Sequence, residues 1–294
     1  MFNCCTLSDY NYLLKGLVLY DSLERYTKEE FILYYLCLDQ KTYDKLIELN
    51  LKNIIPMNLK ELEYDSLDLQ RIKQQITYQN YCFILSSYFC FYLLDNCDKE
   101  NILYIDSDII FYDSLKRVFD TVKDKSIGFI RHRHLEFGTT PQGYFNVGVV
   151  YFKGDENGIN CLTFWKYLLL KPENRYSKEY GSCGDQKYLE LLYLQYKEHI
   201  KIIDESIGFG APFNFDLYGY ENFNMKNKEI IWQDKKESMV FAHYIKFQPN
   251  FENNTYRGVE TQQEWNKLSQ IKEIVELYDE YFNYNKEIYE KYLK

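Results

Sequence analysis

From Met1 to Phe111 the chain alternates short apolar, β-prone runs with segments whose apolar residues recur at helical spacing, and this alternation narrows its fold more than any other feature. Phe2 to Thr6, Phe31 to Leu38 and Asn53 to Met57 read as strands, the last halted near Pro56. Asn11 to Tyr26, with Leu14, Leu17, Val18 and Leu23 in helical register, and Thr42 to Leu49 read as helices. Tyr81 to Leu94 reads as a long buried helix feeding another strand, Asn101 to Ile105. Strands and helices in alternation predict an α/β fold, with a mostly parallel central sheet covered by helices on both faces. Sheets of this kind take their ligands beyond the carboxyl ends of the strands. At that position the strand Asn101 to Ile105 runs into Asp106-Ser107-Asp108.

Residues two apart in an extended chain face the same way, so Asp106 and Asp108 are expected to project together. Like charges held side by side repel each other unless a cation lies between them. The pattern therefore predicts a divalent metal at the strand end. Beyond Asp113 the rhythm loosens. Ile127 to Ile130 and Phe145 to Phe152 read as strands, the second broken at Gly148, while Cys161 to Leu170 and Asp185 to Tyr196 read as helices. Ile207 to Asn254 reads mostly as loop, and a closing helix from Ile271 to Tyr292 sets Ile274, Tyr278, Tyr281, Ile288 and Tyr292 on roughly one face. We expect one domain over residues 1–255, with an elaborated C-terminal half and residues 256–294 packed on it as a helical extension.

Charge and cysteine usage exclude other classes. The net charge is −9 and no dense basic stripe appears, which argues against nucleic acid as a partner. The eight cysteines form no C-x-x-C pair and no spaced framework, so they read as reduced thiols of a cytoplasmic protein. Met1-Phe2-Asn3-Cys4-Cys5 has no basic region followed by an apolar core and is not a secretion signal. Tyr81 to Leu94 is too short to cross a bilayer.

Further segments carry chemistry. In Gly143-Tyr144-Phe145-Asn146-Val147-Gly148-Val149-Val150-Tyr151-Phe152, a polar Asn146 sits inside an apolar strand beside a glycine that permits close approach. Gly184-Asp185-Gln186-Lys187-Tyr188-Leu189 places an acid and an amide at the start of a helix, and Phe241-Ala242-His243-Tyr244 puts a histidine after an apolar pair. In this order, Asp-x-Asp, Phe-Asn-x-Gly-Val, Asp-Gln and a late His-Tyr resemble the glycosyltransferases of the GT-A fold, most closely the family 8-like group that uses nucleotide-diphosphate sugars. The stretch Tyr144 to Asn214, with Lys153-Gly154-Asp155-Glu156-Asn157-Gly158 and Ala211-Pro212-Phe213-Asn214, resembles bacterial transferases that build surface polysaccharides such as lipopolysaccharide. The resemblance runs from Met1 to about Asn250.

The resemblance implies a Rossmann-like GT-A sheet and a metal-dependent transferase. It would move a sugar from a nucleotide-diphosphate donor, UDP-hexose favoured, to a glycan or glycolipid acceptor, with retention of anomeric configuration favoured and inversion by a carboxylate base left open. Asp106, Asp108 and His243 would hold Mn²⁺ or Mg²⁺, the ions that suit oxygen ligands with one imidazole. Thr6, Leu7, Asp106, Ser107, Asn146 and Lys246 would contact the donor, while Asp185 and Gln186 would stand at the reacting centre. Lys246 lies nearer the histidine than the family's usual lysine, and Tyr81 to Leu94 carries neither the Arg nor the Lys that many members place there. Arg131-His132-Arg133-His134 follows a strand and could meet a phosphate or an acceptor, but reads at least equally as a solvated basic loop. A homodimer, and peripheral attachment at the inner face of a membrane, stay open. The competing functions are a nucleotide-sugar hydrolase or pyrophosphorylase using the same metal, and a scaffold that has lost its chemistry.

Overall fold

A computed structural model describes residues 1–132, 136–170, 184–203, 223–224, 226–232, 235–258, 266 and 268–294. Arg133, His134 and Ala211 to Asn214, named above, lie outside the described residues. In chain order the first half comprises β1 (Phe2–Ser8), α1 (Leu13–Tyr26), β2 (Phe31–Cys37), α2 (Gln40–Leu49), β3 (Ile54–Asn58), α3 (Leu59–Tyr64), α4 (Leu67–Lys73), α5 (Tyr78–Phe91), β4 (Asn101–Ile105), β5 (Ile109–Phe111) and α6 (Leu115–Val122). There follow β6 (Ile127–Arg131), β7 (Phe145–Lys153), α7 (Glu156–Leu170), α8 (Leu189–Tyr196) and β8 (Ile200–Ile202). The C-terminal part has β9 (Phe223–Asn224), β10 (Glu229–Trp232), β11 (Lys235–Ser238), β12 (Phe241–His243), β13 (Gln248–Asn250), β14 (Thr255–Arg257) and α9 (Lys272–Tyr292).

A seven-stranded sheet in the order β3-β2-β1-β4-β7-β6-β8 forms the centre. It is mostly parallel, as expected, but β7 runs antiparallel to both β4 and β6. Side chains alternate across it. On β4, Leu103 and Ile105 join one core with α1, α6 and α9, while Ile102 and Tyr104 join the other with α3, α4, α5, α7 and α8. The strand order reverses at the β1/β4 pair, which opens a crevice at the carboxyl ends of these strands.

Several elements depart from the expectations. Helices α3, α4 and α6 stand in segments where no element is read from the sequence. They are short, so each shows too few turns for a period to emerge. Between Phe223 and Asn250 short antiparallel strands replace part of the expected loop. β12 pairs with β5 in the register His243↔Ile109, Ala242↔Ile110, Phe241↔Phe111. This pairing carries a late segment of the chain back to the end of β4.

Candidate active site

The site grows from the chain reversal between β4 and β5. Asp106 and Asp108 are not strand residues, contrary to the alternation argument. Ile109 N–H donates to the Asp106 carbonyl at 3.2 Å and closes a tight turn, while Asp106 N–H donates to the Gly148 carbonyl at 2.8 Å. The two carboxylates converge because the backbone folds over between them. Ser107, at the tip of the turn, is buried. The β5–β12 register then sets His243 against the pair, locked by the Tyr244 N–H bond to the Asp108 carbonyl at 2.9 Å.

His243 Nε2 lies 2.9 Å from Asp108 Oδ1 and 3.5 Å from Asp106 Oδ2. One ligand atom from each of the three residues falls within 4.8 Å of the others. Cis ligands around an octahedral ion with bonds of about 2.1 Å stand roughly 3 Å apart, so the set can close on Mn²⁺ or Mg²⁺ by small side-chain rotations. His243 Nδ1 is buried with no hydrogen-bond partner among the described residues, which leaves Nε2 as the working face of the ring. Two oxygens and an imidazole suit these ions. The residues present fit the metal.

The charges respond to burial and to one another. Burial pushes the Asp106 carboxyl up, and the neighbouring Asp108 adds to the rise against the pull of His243. Burial would also raise Asp108, but His243 and then Lys15 outweigh it and hold this carboxyl below its ordinary range. Burial alone would lower the imidazole, but the two carboxylates hold it above its ordinary value. Tyr104, the last but one residue of β4, donates its hydroxyl to Asp106 Oδ1 at 2.8 Å and fixes that carboxylate.

Across the crevice β7 supplies the second group of site residues. Its pairing with β6 slips between Phe129↔Val150 and Ile130↔Asn146, so β7 bulges through residues 146–149. The bulge turns Asn146 inward, and Gly148 N–H donates to Asn146 Oδ1 at 2.8 Å. The amide nitrogen of Asn146 is 3.2 Å from His132 Nε2 and donates to Gln186 Oε1 at 3.5 Å. His132 Nδ1 in turn donates to the Gly143 carbonyl at 2.8 Å, which leaves Nε2 as the acceptor facing Asn146. Asp185 is buried and accepts from Ser86 Oγ at 3.0 Å. Burial, with the Asp106 charge adding to it, raises its carboxyl to about 7.

The structure thus gathers Asp106, Ser107, Asp108, Asn146, Asp185, Gln186 and His243 at one end of the sheet. Gly148 locks two of the motifs together, because a Cβ there would sit 2.6 Å from both Asn146 Oδ1 and His243 Nδ1. β1 runs two residues past its expected end, to Ser8; Thr6 lies near that end on the same side, its hydroxyl buried with no partner among the described residues, and Leu7 follows it half-buried. Lys246 follows β12 in a left-handed conformation with φ 60°.

Reading the sequence missed two contributors, Tyr104 and Lys15, and left a third, His132, outside the expected site as part of Arg131-His132-Arg133-His134. Lys15 Nζ lies 3.8 Å from Asp108 Oδ2, with 8% and 12% of the two side chains exposed. Its signal was a lone lysine in the apolar run Leu13 to Leu19. Nothing local marks Tyr104, and the basic run around His132 gives no sign of its bond to Asn146.

The profile of the family described as Glycosyl transferase family 8 matches residues 3–249. A Bacillus subtilis (strain 168) protein, "Uncharacterized protein YfnF", is 27% identical over 252 residues, covering 82% of this chain and 80% of its own. A second protein of that organism, "Uncharacterized protein YfnD", is 24% identical over 253 residues, covering 84% of this chain and 78% of its own. Among solved structures, the galactosyltransferase LgtC in complex with donor and acceptor sugar analogs superposes with a TM-score of 0.57 at 15% identity, covering 83% of this chain and 87% of its own. Apo mouse xyloside xylosyltransferase 1 superposes with a TM-score of 0.53 at 16% identity, covering 86% of this chain and 99% of its own. At such identities the superpositions establish the GT-A fold.

Proposed function

Because this chain belongs to glycosyl transferase family 8 and is a glycosyltransferase, we propose that it moves a hexose-type sugar, with retention, from a nucleotide-diphosphate donor to a glycan or glycolipid acceptor. UDP is the favoured nucleotide, and an acceptor of the bacterial surface-polysaccharide or lipopolysaccharide type follows from the Tyr144 to Asn214 resemblance. No described helix is long and apolar enough to cross a membrane. The cysteines, read as reduced thiols, favour an enzyme of the cytoplasm, and we propose that it works on acceptors at the inner membrane face.

The observation that carries this reading is the convergence of Asp106, Asp108 and His243, with their ligand atoms within 4.8 Å, at the point where the strand order reverses. A divalent cation there supplies Lewis-acid stabilisation of the negative charge that collects on the departing diphosphate. Thr6 and Leu7 at the end of β1 meet the nucleotide, together with Ser107. Lys246 reaches the phosphates as a point charge. Asn146 and Asp185 bind donor hydroxyls and hold the sugar, and Gln186 faces the anomeric carbon. An amide at that face cannot serve as a general base, so the acceptor proton passes to the leaving phosphate oxygen and attack comes from the departing side.

Two measurements test the proposal. Calorimetry is expected to show UDP binding far more tightly with Mn²⁺ present, and equal affinity with and without the ion would refute it. Asp108→Asn is expected to cut turnover at least about 100-fold in a variant that is still folded at the assay temperature, as circular dichroism checks. A product assay that returns free sugar only, with no transfer to any acceptor, would point to a hydrolase instead.

A further inference from the structure

Lys15 is placed where two physical effects oppose it. It sits in the first turn of α1, which starts at Leu13 and has no side-chain cap, so the positive end of the helix dipole disfavours its ammonium. It is also buried, 7% exposed, where a charge loses its hydration. Around the ammonium stand Asp108 at 3.8 Å and the ring of Tyr12, whose centroid is 4.1 Å away, with the charge of Lys246 close enough to be felt. Asp108 is thus the group that offsets both costs, and Asp108 belongs to the carboxylate pair that fits the metal. Lys15 and a cation compete for the same carboxylate.

We infer that Lys15 couples metal binding to diphosphate binding: it covers Asp108 in the metal-free protein, and once a cation takes that carboxylate, its ammonium turns to the donor diphosphate. The inference rests on the donor-site reading above and deepens it. It makes the two ligands mutually supportive, because a displaced ammonium, still at the helix start and still desolvated, needs a new anion. A diphosphate seated against the metal supplies one. It also gives removal of the Lys15 charge opposite effects on the two ligands, which a packing role for the side chain does not.

The test uses the whole protein and Lys15→Met, which keeps the length of the side chain and removes its charge. Mn²⁺ alone is titrated by following the free ion by electron paramagnetic resonance, and UDP is titrated by calorimetry at saturating Mn²⁺. Lys15→Met is expected to bind Mn²⁺ alone about tenfold more tightly and UDP about tenfold more weakly than wild type, since a unit charge near 4 Å is felt at this scale. Lys15→Arg keeps the charge and is expected to stay near wild type in both. If Lys15→Met melts below the assay temperature, Lys15→Gln carries the same two expectations. Wild type that binds both ligands while the neutral variant matches it, or shifts both affinities in the same direction, overturns the inference alone. Wild type that takes up no Mn²⁺, or gains no UDP affinity from it, overturns the donor-site reading beneath it.

Discussion

At the scale of single residues, the site depends on atoms too close together to tolerate addition. Gly148 is the tightest point, with Asn146 Oδ1 and His243 Nδ1 each 2.6 Å from the place a Cβ would occupy. Gly148→Ala is expected to lower kcat at least about 100-fold, because displacements near 1 Å at reacting groups cost that much; steady-state kinetics beside a thermal melt checks it. His132 positions Asn146 rather than touching substrate. His132→Ala should lower kcat about tenfold or more, while His132→Gln, whose amide can both donate to Gly143 and accept from Asn146, should recover part of the loss. Asp185 gives a pH signature. Its folded carboxyl keeps a proton up to about 7, whereas the unfolded one releases it near the ordinary 3.8. Its contribution to stability is therefore greatest at low pH and declines as pH rises through about 7. In metal-free buffer Asp185→Asn should flatten that decline and melt higher than wild type near pH 8. The members of the Asp106, Asp108 and His243 cluster were legible in the sequence because a strand ending in Asp-x-Asp and a late His-Tyr are written locally. Tyr104, His132 and Lys15 were not, since their roles arise from a turn, a bulge and a helix start that meet only in the folded chain.

At the scale of elements, α9 matters to the metal site without reaching it. Tyr244, next to His243, stacks on Tyr281 of α9 with ring centroids 3.9 Å apart and planes 8° from parallel. Its hydroxyl meets Tyr112 at 2.8 Å and donates to the Leu277 carbonyl at 3.4 Å. Tyr281→Ala should therefore cost about 3 kcal/mol or more of stability and also weaken Mn²⁺ binding, both readable in one thermal-shift titration. The far end of the helix is clasped to α1. Lys291 and Tyr284 both donate to Asp21 at 2.7 Å, and together with Arg25 they outweigh the effect of burial and hold its carboxyl below 3.8. A depressed carboxyl stabilises at pH values above its unfolded value, and that contribution is lost as pH falls through the folded one. Acidification past pH 3.8 and through the depressed folded value should release the end of α9 to proteases, as Asp21→Asn should at neutral pH. The closing helix itself was legible from its apolar face. The direction of β7 was not, because alternating strands and helices announce parallel neighbours and give no sign of a strand that returns the other way.

At the scale of the whole molecule, α9 shares one apolar core with α1, β1 and β4. Removing residues 259–294 would bare the face of α1 against which Leu277, Tyr281 and Ile288 pack. Such a truncation should unfold the protein cooperatively instead of leaving a stable catalytic body, which circular dichroism melts would register. The pairing of β12 with β5 has a consequence for biosynthesis. Asp108 and His243 are separated by 135 positions, so a chain still emerging from the ribosome carries its two acids long before the imidazole arrives to complete them. On the proposed assignment, prematurely terminated products would lack the third ligand and would be inert.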